Sequence, residues 1–331
     1  VLHSDTLFSA LSHAMAALGR LESWLDLTAR NPGTPRVRLS SLFPYIEDVA
    51  LAAPPRSHWP PPPSAKVRWK SARFVPVSLI RTLLQDQPVE DGRWYVDGPS
   101  ECLLPSDALF RTGPFRPAVR SHAGIDRRGG AAVAVHRTGC LEFAPGGGLW
   151  GLVSFADEQA AAEWSGPIRA ALRLLADSGI GGERSLGWGR SEEPEFIEGT
   201  LPGMILPEAQ PAPAAEPSTN GESAAPVARP ATGWWLLSLF SPAADDVIDW
   251  SRGHYALVTR GGRIESAAGS GEEKKAVRMV EEGSVLLADG PLRGAAPDVA
   301  PDGFPHPVFR SGFPLALAVP LRPPERVLGA L

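Results

Sequence analysis

Asp177-Ser178-Gly179-Ile180-Gly181-Gly182-Glu183-Arg184-Ser185-Leu186-Gly187-Trp188-Gly189-Arg190 places five glycines in eleven positions, with two arginines beside them. The pattern before this stretch is helical, with Ile168, Leu172 and Leu175 as a buried stripe. The pattern after it, Trp188 to Ile197, reads as a strand. Glycine tolerates positive φ and has no Cβ, so such a run lets main-chain N–H groups converge on a ligand. With guanidinium groups alongside, the ligand that suits this chemistry is an anion, above all a phosphodiester backbone. A nucleoside-triphosphate P-loop would end in Gly-Lys-Ser/Thr, which is missing, and a dinucleotide fingerprint would run from strand to glycines to helix, the reverse of the order here. The competing reading is a helix C-cap followed by a tight turn. Five glycines exceed what one cap needs. The candidate cradle is therefore Gly179, Gly181, Gly182, Arg184, Ser185, Gly187 and Gly189.

Working outward, the helix before the cradle opens at Asp157, and Ser165 and Pro167 look like a second cap within it. Upstream, Ala131–Arg137, Cys140–Phe143 and Leu149–Phe155 alternate like strands separated by glycine turns. Between Arg111 and Cys140 six arginines (111, 116, 120, 127, 128, 137) face one acid, Asp126, with His122 and His136 in addition. This basic patch falls on hairpin arms and tips, and a projecting ribbon of that kind suits a wedge or clamp on nucleic acid. Its candidate contacts are Arg120, His122, Ile125, Arg127, Arg128 and Arg137. The whole chain carries a net charge of −5, so a local basic site fits better than general affinity for polyanions. A solvated, arginine-rich loop is the competing reading.

The N-terminal helix begins after Ser4-Asp5-Thr6, its N-cap candidates, and carries Leu7, Phe8, Leu11, Met15 and Leu18 at helical spacing before Gly19. A second helical segment spans Leu21–Leu27. Val37–Phe43 reads as a strand, the proline runs around Pro54 and Pro60 as extended chain, and Val77–Leu84 as a short helix. Residues 207–233 are rich in Pro, Ala, Ser, Glu and Gly and cannot bury enough surface to offset ordering, so they read as a flexible linker. The expected organisation is a first domain over 1–206, the linker 207–233, and a β-rich domain over 234–331 with strands at Trp234–Pro242 and Leu315–Val319 and a strand and turn at Tyr255–Ile264.

At 331 residues the chain fits two domains of roughly 150. Its 43% hydrophobic content supports real cores, and no segment approaches the ~18–20 apolar residues of a membrane span. Cys102 and Cys140 have neither a disulfide pattern nor metal-ligand spacing, so no cofactor or metal is expected. With no signal-peptide pattern at Val1–Asp5, the expected compartment is the cytoplasm. The chain enters a helix almost at once, and an upstream first strand is expected. With it restored, the first half runs β-α-β-β-α-β, the ferredoxin-like order.

Ser4-Asp5-Thr6-Leu7-Phe8-Ser9-Ala10-Leu11, the glycine stretch Gly179–Gly189, Glu282-Gly283-Ser284-Val285 and His306-Pro307-Val308-Phe309-Arg310-Ser311-Gly312, in that order, resemble the RAMP superfamily. Within it they resemble most the subunits that cap the crRNA 5′ end in type III-A (Csm) CRISPR interference complexes. The resemblance implies an α+β fold of two ferredoxin-like (RRM-like) domains with an inserted β-hairpin thumb. It also implies a non-catalytic role in antiviral defence. The partners implied are the crRNA 5′ tag, the guide–target duplex, the large polymerase/cyclase-like subunit and the backbone RAMP subunits. On this view the glycine stretch cradles tag phosphates and the hairpin around Ala123–Arg137 is the thumb.

The alternative is a RAMP endoribonuclease that processes crRNA precursors. Metal-independent cleavage would need a general base within about 3 Å of a ribose 2′-OH. His3, His13, His122 and His136 are the candidates, and none stands in a recognisable cluster with Tyr or Lys.

Overall fold

A computed structural model describes residues 2–30, 35–61, 69–125, 128–129, 132–206, 232–266 and 269–321. Its helices are α1 (Ser4–Ala17), α2 (Leu21–Leu25), α3 (Val77–Leu84) and α4 (Glu158–Ser178). Small antiparallel sheets make up the rest of the regular structure, so the chain is a mixed α/β protein. It divides into two compact units, one of residues 42–54 and 59–150, the other of residues 2–41, 55–58 and 151–331.

The first unit is built on a four-stranded sheet in the order Val75–Pro76, Val49–Ala52, Phe43–Ile46, Gly147–Trp150. Helix α3 follows directly from the first of these strands. Its Val77, Ile80 and Leu83 recur at i, i+3 and i+6 and are buried with Leu79, where the helix packs on the strand Val49–Ala52. A long two-stranded ribbon, Phe115–Ile125 paired with Ala132–Phe143, leaves this unit. The expected strands Ala131–Arg137 and Cys140–Phe143 are thus one, because Gly139 lies opposite Val119 in unbroken register and makes no turn.

In the second unit, the buried face of α1 (Leu7, Phe8, Leu11, Met15) and that of α4 meet around Trp24. The Trp24 ring stacks on Phe8 at 5.9 Å and lies 6.0 Å from Trp164, and its indole N–H donates to Ser12 Oγ at 3.1 Å. Burying an indole this way removes about 200 Å² of mostly apolar surface while its one polar atom stays satisfied. Asp157 caps α4 by accepting from the Ala160 N–H at 2.7 Å. Contrary to the expected second cap at Ser165 and Pro167, α4 runs through Pro167 without a break. The proline removes one helical donor, but Ala160, Trp164, Ile168, Ala171 and Leu175 keep one continuous buried stripe across it. Beyond α4, a four-stranded sheet runs in the order Ile248–His254, Val285–Ala288, Thr232–Leu236, Ala316–Pro320. Leu236, Phe240, Val280, Leu286 and Leu292 form its core.

Four expected strands are shorter than read or missing, among them Trp234–Pro242, which ends at Leu236. Val37–Phe43 breaks into Val37–Leu39 and Phe43–Ile46 because Ser40 and Ser41, both fully buried, turn their hydroxyls into hydrogen bonds. Ser40 Oγ accepts from the Leu152 N–H at 2.7 Å, and Ser41 Oγ accepts from the Ser4 N–H at 2.8 Å. Leu149–Phe155 divides likewise, between Trp150 and Val153. Residues 190–199 form no strand. They run instead along α4, where Glu193 and Glu198 pair with Arg173 and Arg169 and the Phe196 ring lies under both guanidinium groups at 5.2 and 5.5 Å. Of the expected linker, residues 207–231 lie outside the described residues.

The units do not follow the linear division expected at 207–233, because α1 belongs to the same unit as the C-terminal strands. A buried polar clasp holds it there. The N-cap of α1 is His3, with no side-chain capping bond, rather than Ser4, Asp5 or Thr6. Those side chains are committed elsewhere. Ser4 Oγ accepts from the Leu239 N–H at 3.0 Å. Asp5 accepts two 3.0 Å hydrogen bonds from Arg260 and a further one from Arg310. Thr6 Oγ1 accepts from Arg260 at 3.0 Å. His3 Nδ1 lies 2.9 Å from Glu282, whose carboxylate also accepts from Ser41 Oγ. Burial alone would raise the Asp5 carboxyl, but the Arg260 hydrogen bonds and the charges of Arg260, Arg310 and His3 hold it below the usual carboxylate range. Glu282 is likewise depressed, burial being outweighed by His3 and Ser41.

Because both acids titrate lower in the folded chain than in the unfolded one, their stabilisation is present above about pH 4 and is lost as pH falls through the depressed values. Asp5→Asn leaves the buried Arg310 and the half-buried Arg260 short of their carboxylate and is expected to cost ~3–5 kcal/mol at neutral pH. Its stability should also fall less steeply in acid than the parent's. Denaturant unfolding of both chains between pH 3 and pH 7, on the order of ten points, measures this; equal stability and equal acid slope would contradict it.

Candidate nucleic-acid interface

The glycine stretch is two structures in one. At its neck, Gly179 (φ +89°) ends α4, donating its N–H to Leu175 O at 2.8 Å, and Ile180 N–H donates to Gly189 O at 3.1 Å. A Cβ on Gly179 would stand 2.2 Å from Trp188 O, and one on Gly189 (φ +73°) 2.0 Å from Ile180 O. These two glycines close the loop by direct backbone approach. At the tip, Gly181, Gly182 and Gly187 would meet nothing within 4 Å. Gly187 N–H and Leu186 N–H close a single tight turn over Arg184–Leu186 at 2.9 and 3.0 Å. Among the described residues, the N–H groups of Gly181, Gly182 and Ser185 have no hydrogen-bond partner, and all three residues are exposed. The tip thus presents free amide donors to solvent, as an anion cradle requires.

Arg184 points from this tip to the carboxylate of Glu265, on the hairpin Arg263–Ser266/Gly269–Glu273. Two more basic side chains lie within electrostatic reach of that carboxylate, His13 of α1 and Lys274. Burial lowers the His13 pKa, with Arg184 and Lys274 adding to the effect and Glu265 opposing it, so the ring is held toward its neutral form. Lys274 is lowered by burial and by Arg310, against Asp5 and Glu265. Arg190, exposed at the end of the stretch, has no ion-pair partner among the described residues. Sequence reasoning singled out neither Glu265 nor Lys274. Each lies more than 80 residues from Arg184 in the chain, and nothing in local spacing marks them.

The ribbon has two unlike faces. Directly opposed residues of an antiparallel pair share a face, so Arg116, Ala118, Arg120 and His122 stand with Glu142, Cys140, Thr138 and His136. Phe115, Pro117, Val119, Ser121 and Ala123 stand on the other side with Phe143, Leu141, Gly139, Arg137 and Val135. Val119 and Val135 are both more than 60% exposed, so this second face is open and largely apolar. Glu142 binds Arg116 at 3.0 Å and also Arg120, and these arginines hold its carboxyl below the usual range. Two of the expected cations therefore share one carboxylate that lies just past the basic stretch in sequence and opposite it in register. Arg137 has no ion-pair partner among the described residues. Arg128 is exposed at the turn; Arg127 and the Ile125 side chain lie outside the described residues. Among the described residues no group of three His, Cys, Asp or Glu side chains could hold a metal ion, and no helix is long and apolar enough to cross a membrane.

The fold is similar to those of known structures. Over 98% of its length the chain matches a chain in the crystal structure of a Csm3–Csm4 subcomplex in the type III-A CRISPR-Cas interference complex, with a TM-score of 0.60, 18% identity and 94% of that chain covered. It matches a chain of a Csm1–Csm4 cassette in complex with cA4 over 98%, with a TM-score of 0.54, 17% identity and 93% of that chain. A cassette in complex with pppApA gives 97%, 0.54, 16% and 93%. None of the curated proteins compared matches in sequence. The fold is thus one shared with chains of Csm3–Csm4 and Csm1–Csm4 assemblies. Residues 229–319 match the family model of the CRISPR Csm4 C-terminal domain. Csm4 is also the component common to all three assemblies.

Neck and tip glycines are expected to respond differently to a methyl group. Gly189→Ala forces a Cβ into Ile180 O at positive φ and should destabilise the chain by more than ~1–2 kcal/mol, whereas Gly182→Ala should stay within about 0.5 kcal/mol of the parent. Thermal unfolding of the two variants distinguishes them; equal midpoints would contradict the division.

Proposed function

We propose that the chain is the Csm4 subunit of a type III-A CRISPR interference complex, a non-catalytic protein that holds the 5′ tag of the crRNA. In this reading the chain is built on two ferredoxin-like domains. The tip of the glycine loop receives tag phosphates, and the ribbon Phe115–Phe143 is the thumb that enters between guide and target strands. The subunit caps the filament of Csm3-type backbone subunits and docks the large Csm1-type subunit, in the cytoplasm. The observation that carries the reading is the exposed tip of free amides at Gly181, Gly182 and Ser185 with Arg184 beside it. The Csm4 C-terminal domain match over residues 229–319, and the solved assemblies that pair Csm4 with Csm3 and with Csm1, support the partners.

Three of the four candidate histidines favour a structural role over general-base chemistry. His3 is engaged with Glu282, and His122 and His136 face each other across the ribbon, whereas His13, half-buried and held toward the neutral form, keeps the protonation state that a base needs. A general base needs a free nitrogen within reach of the 2′-OH.

Tag binding is tested with the chain assembled with Csm1- and Csm3-type partners. Arg184→Ala is expected to weaken binding of 5′-tagged crRNA roughly tenfold at physiological salt. It should also reduce the slope of log K against log salt by about 0.7. Tagged RNA should remain uncleaved. Salt-independent binding, or equal affinity for crRNA without its tag, would contradict the reading. Specific cleavage lost in His13→Ala would contradict the non-catalytic part of it.

A further inference from the structure

The Arg184–Glu265 pair is placed where the proposed ligand would sit. Glu265 is two-thirds exposed, with 63% of its side chain accessible, whereas Arg184 has 29% accessible. Ile264, 3% exposed, anchors the hairpin inward, and strand alternation then turns Arg263 and Glu265 outward. Arg263 is occupied within its own hairpin, by the Gly271 carbonyl at 2.8 Å and by Glu273 at 3.7 Å. Glu265 alone of the pair reaches across to the glycine loop. Its carboxylate pairs with Arg184, and Lys274, which makes no ion pair among the described residues, lies within its electrostatic reach. One carboxylate thus faces two cations, a pair that suits a more highly charged anion.

We propose that Glu265 is an internal stand-in for phosphate: its carboxylate holds the position at Arg184 that a phosphodiester of the bound RNA takes, so the loop engages RNA by exchanging one anion for another. This rests on the RNA-binding reading of the loop. An exposed ion pair contributes little and is cheaply exchanged. A phosphate accepts from the guanidinium as well as a carboxylate does and has oxygens left for the free amides of Gly181, Gly182 and Ser185, which form no bond to Glu265. The exchange therefore favours a phosphate that meets guanidinium and amides together. One that meets the arginine alone only replaces a bond already present. Glu265 in this way weakens loose contact with polyanions more than contact at the fitted position.

The test compares the full chain with Glu265→Gln, Arg184→Gln and the double variant. Each is titrated with a 5′-tagged crRNA and with an untagged RNA of equal length, and thermal unfolding of each confirms the fold. Glu265→Gln is expected to tighten both RNAs, roughly two- to fivefold for the untagged one and less for the tagged one, the scale of an exposed ion pair. The gain should vanish in the Arg184→Gln background. If Arg184→Gln weakens tagged RNA while Glu265→Gln changes neither affinity, the stand-in role is overturned and the cradle stands. An equal gain with and without Arg184 also overturns it, since the effect is then one of general charge. If neither single variant changes either affinity, the cradle and the stand-in both fall.

Discussion

Asp5 is 5% exposed and carries a charge that could not remain buried without partners, and Arg260 and Arg310 supply them from more than 250 residues away. Its place in the first turn of α1 adds the positive end of the helix dipole to the same carboxylate. Most of what surrounds the glycine loop follows from this one satisfied charge. Holding the start of α1 against Arg260 brings His13, two turns further along the helix, to the loop. The strand that ends at Arg260 is followed within three residues by the hairpin bearing Glu265. The Ser4, Ser41, His3 and Glu282 contacts extend the clasp, each meeting a buried polar group with a buried partner. Removing one member therefore exposes another to the full cost of being unpaired.

The loop itself divides, within eleven residues, into a neck that folding requires and a tip that it does not. Gly179 and Gly189 are needed because backbone meets backbone there, and they would be needed whatever the tip binds. Gly181, Gly182 and Gly187 answer no packing demand. Their absence of side chains leaves the amides of Gly181 and Gly182 open to solvent.

Charge on the ribbon is organised by strand register. Arg116 and Arg120 converge on Glu142, so the polar face is closer to neutral than its arginine count suggests. The apolar face carries a single arginine, Arg137, among Phe115, Pro117, Val119, Leu141 and Phe143. Such a ribbon offers aromatic and aliphatic surface on one side and paired charge on the other, a combination better suited to insertion than to electrostatic capture.

Much of this was legible in the chain as written, wherever the cause is local. The α1 and α3 stripes, the Asp157 cap and the end of α4 at Gly179 all depend on residues within a few positions of one another, and spacing reports them directly. Where sequence and structure part, the deciding partner is remote. Ser4, Asp5 and Thr6 look like caps because their short polar side chains suit that role, but Leu239, Arg260 and Arg310 claim them. Residues 190–199 have strand-like composition, yet Arg169 and Arg173 hold them along α4. Pro167 suggests a break that a continuous apolar stripe overrides. Glu265 reaches Arg184, 81 residues away in sequence, because the folded path returns the far end of the chain to α1. Local geometry and chemical type are properties of the sequence taken a few residues at a time; which charge meets which is set by the folded path, since Coulomb attraction depends on distance in space and is indifferent to separation along the chain.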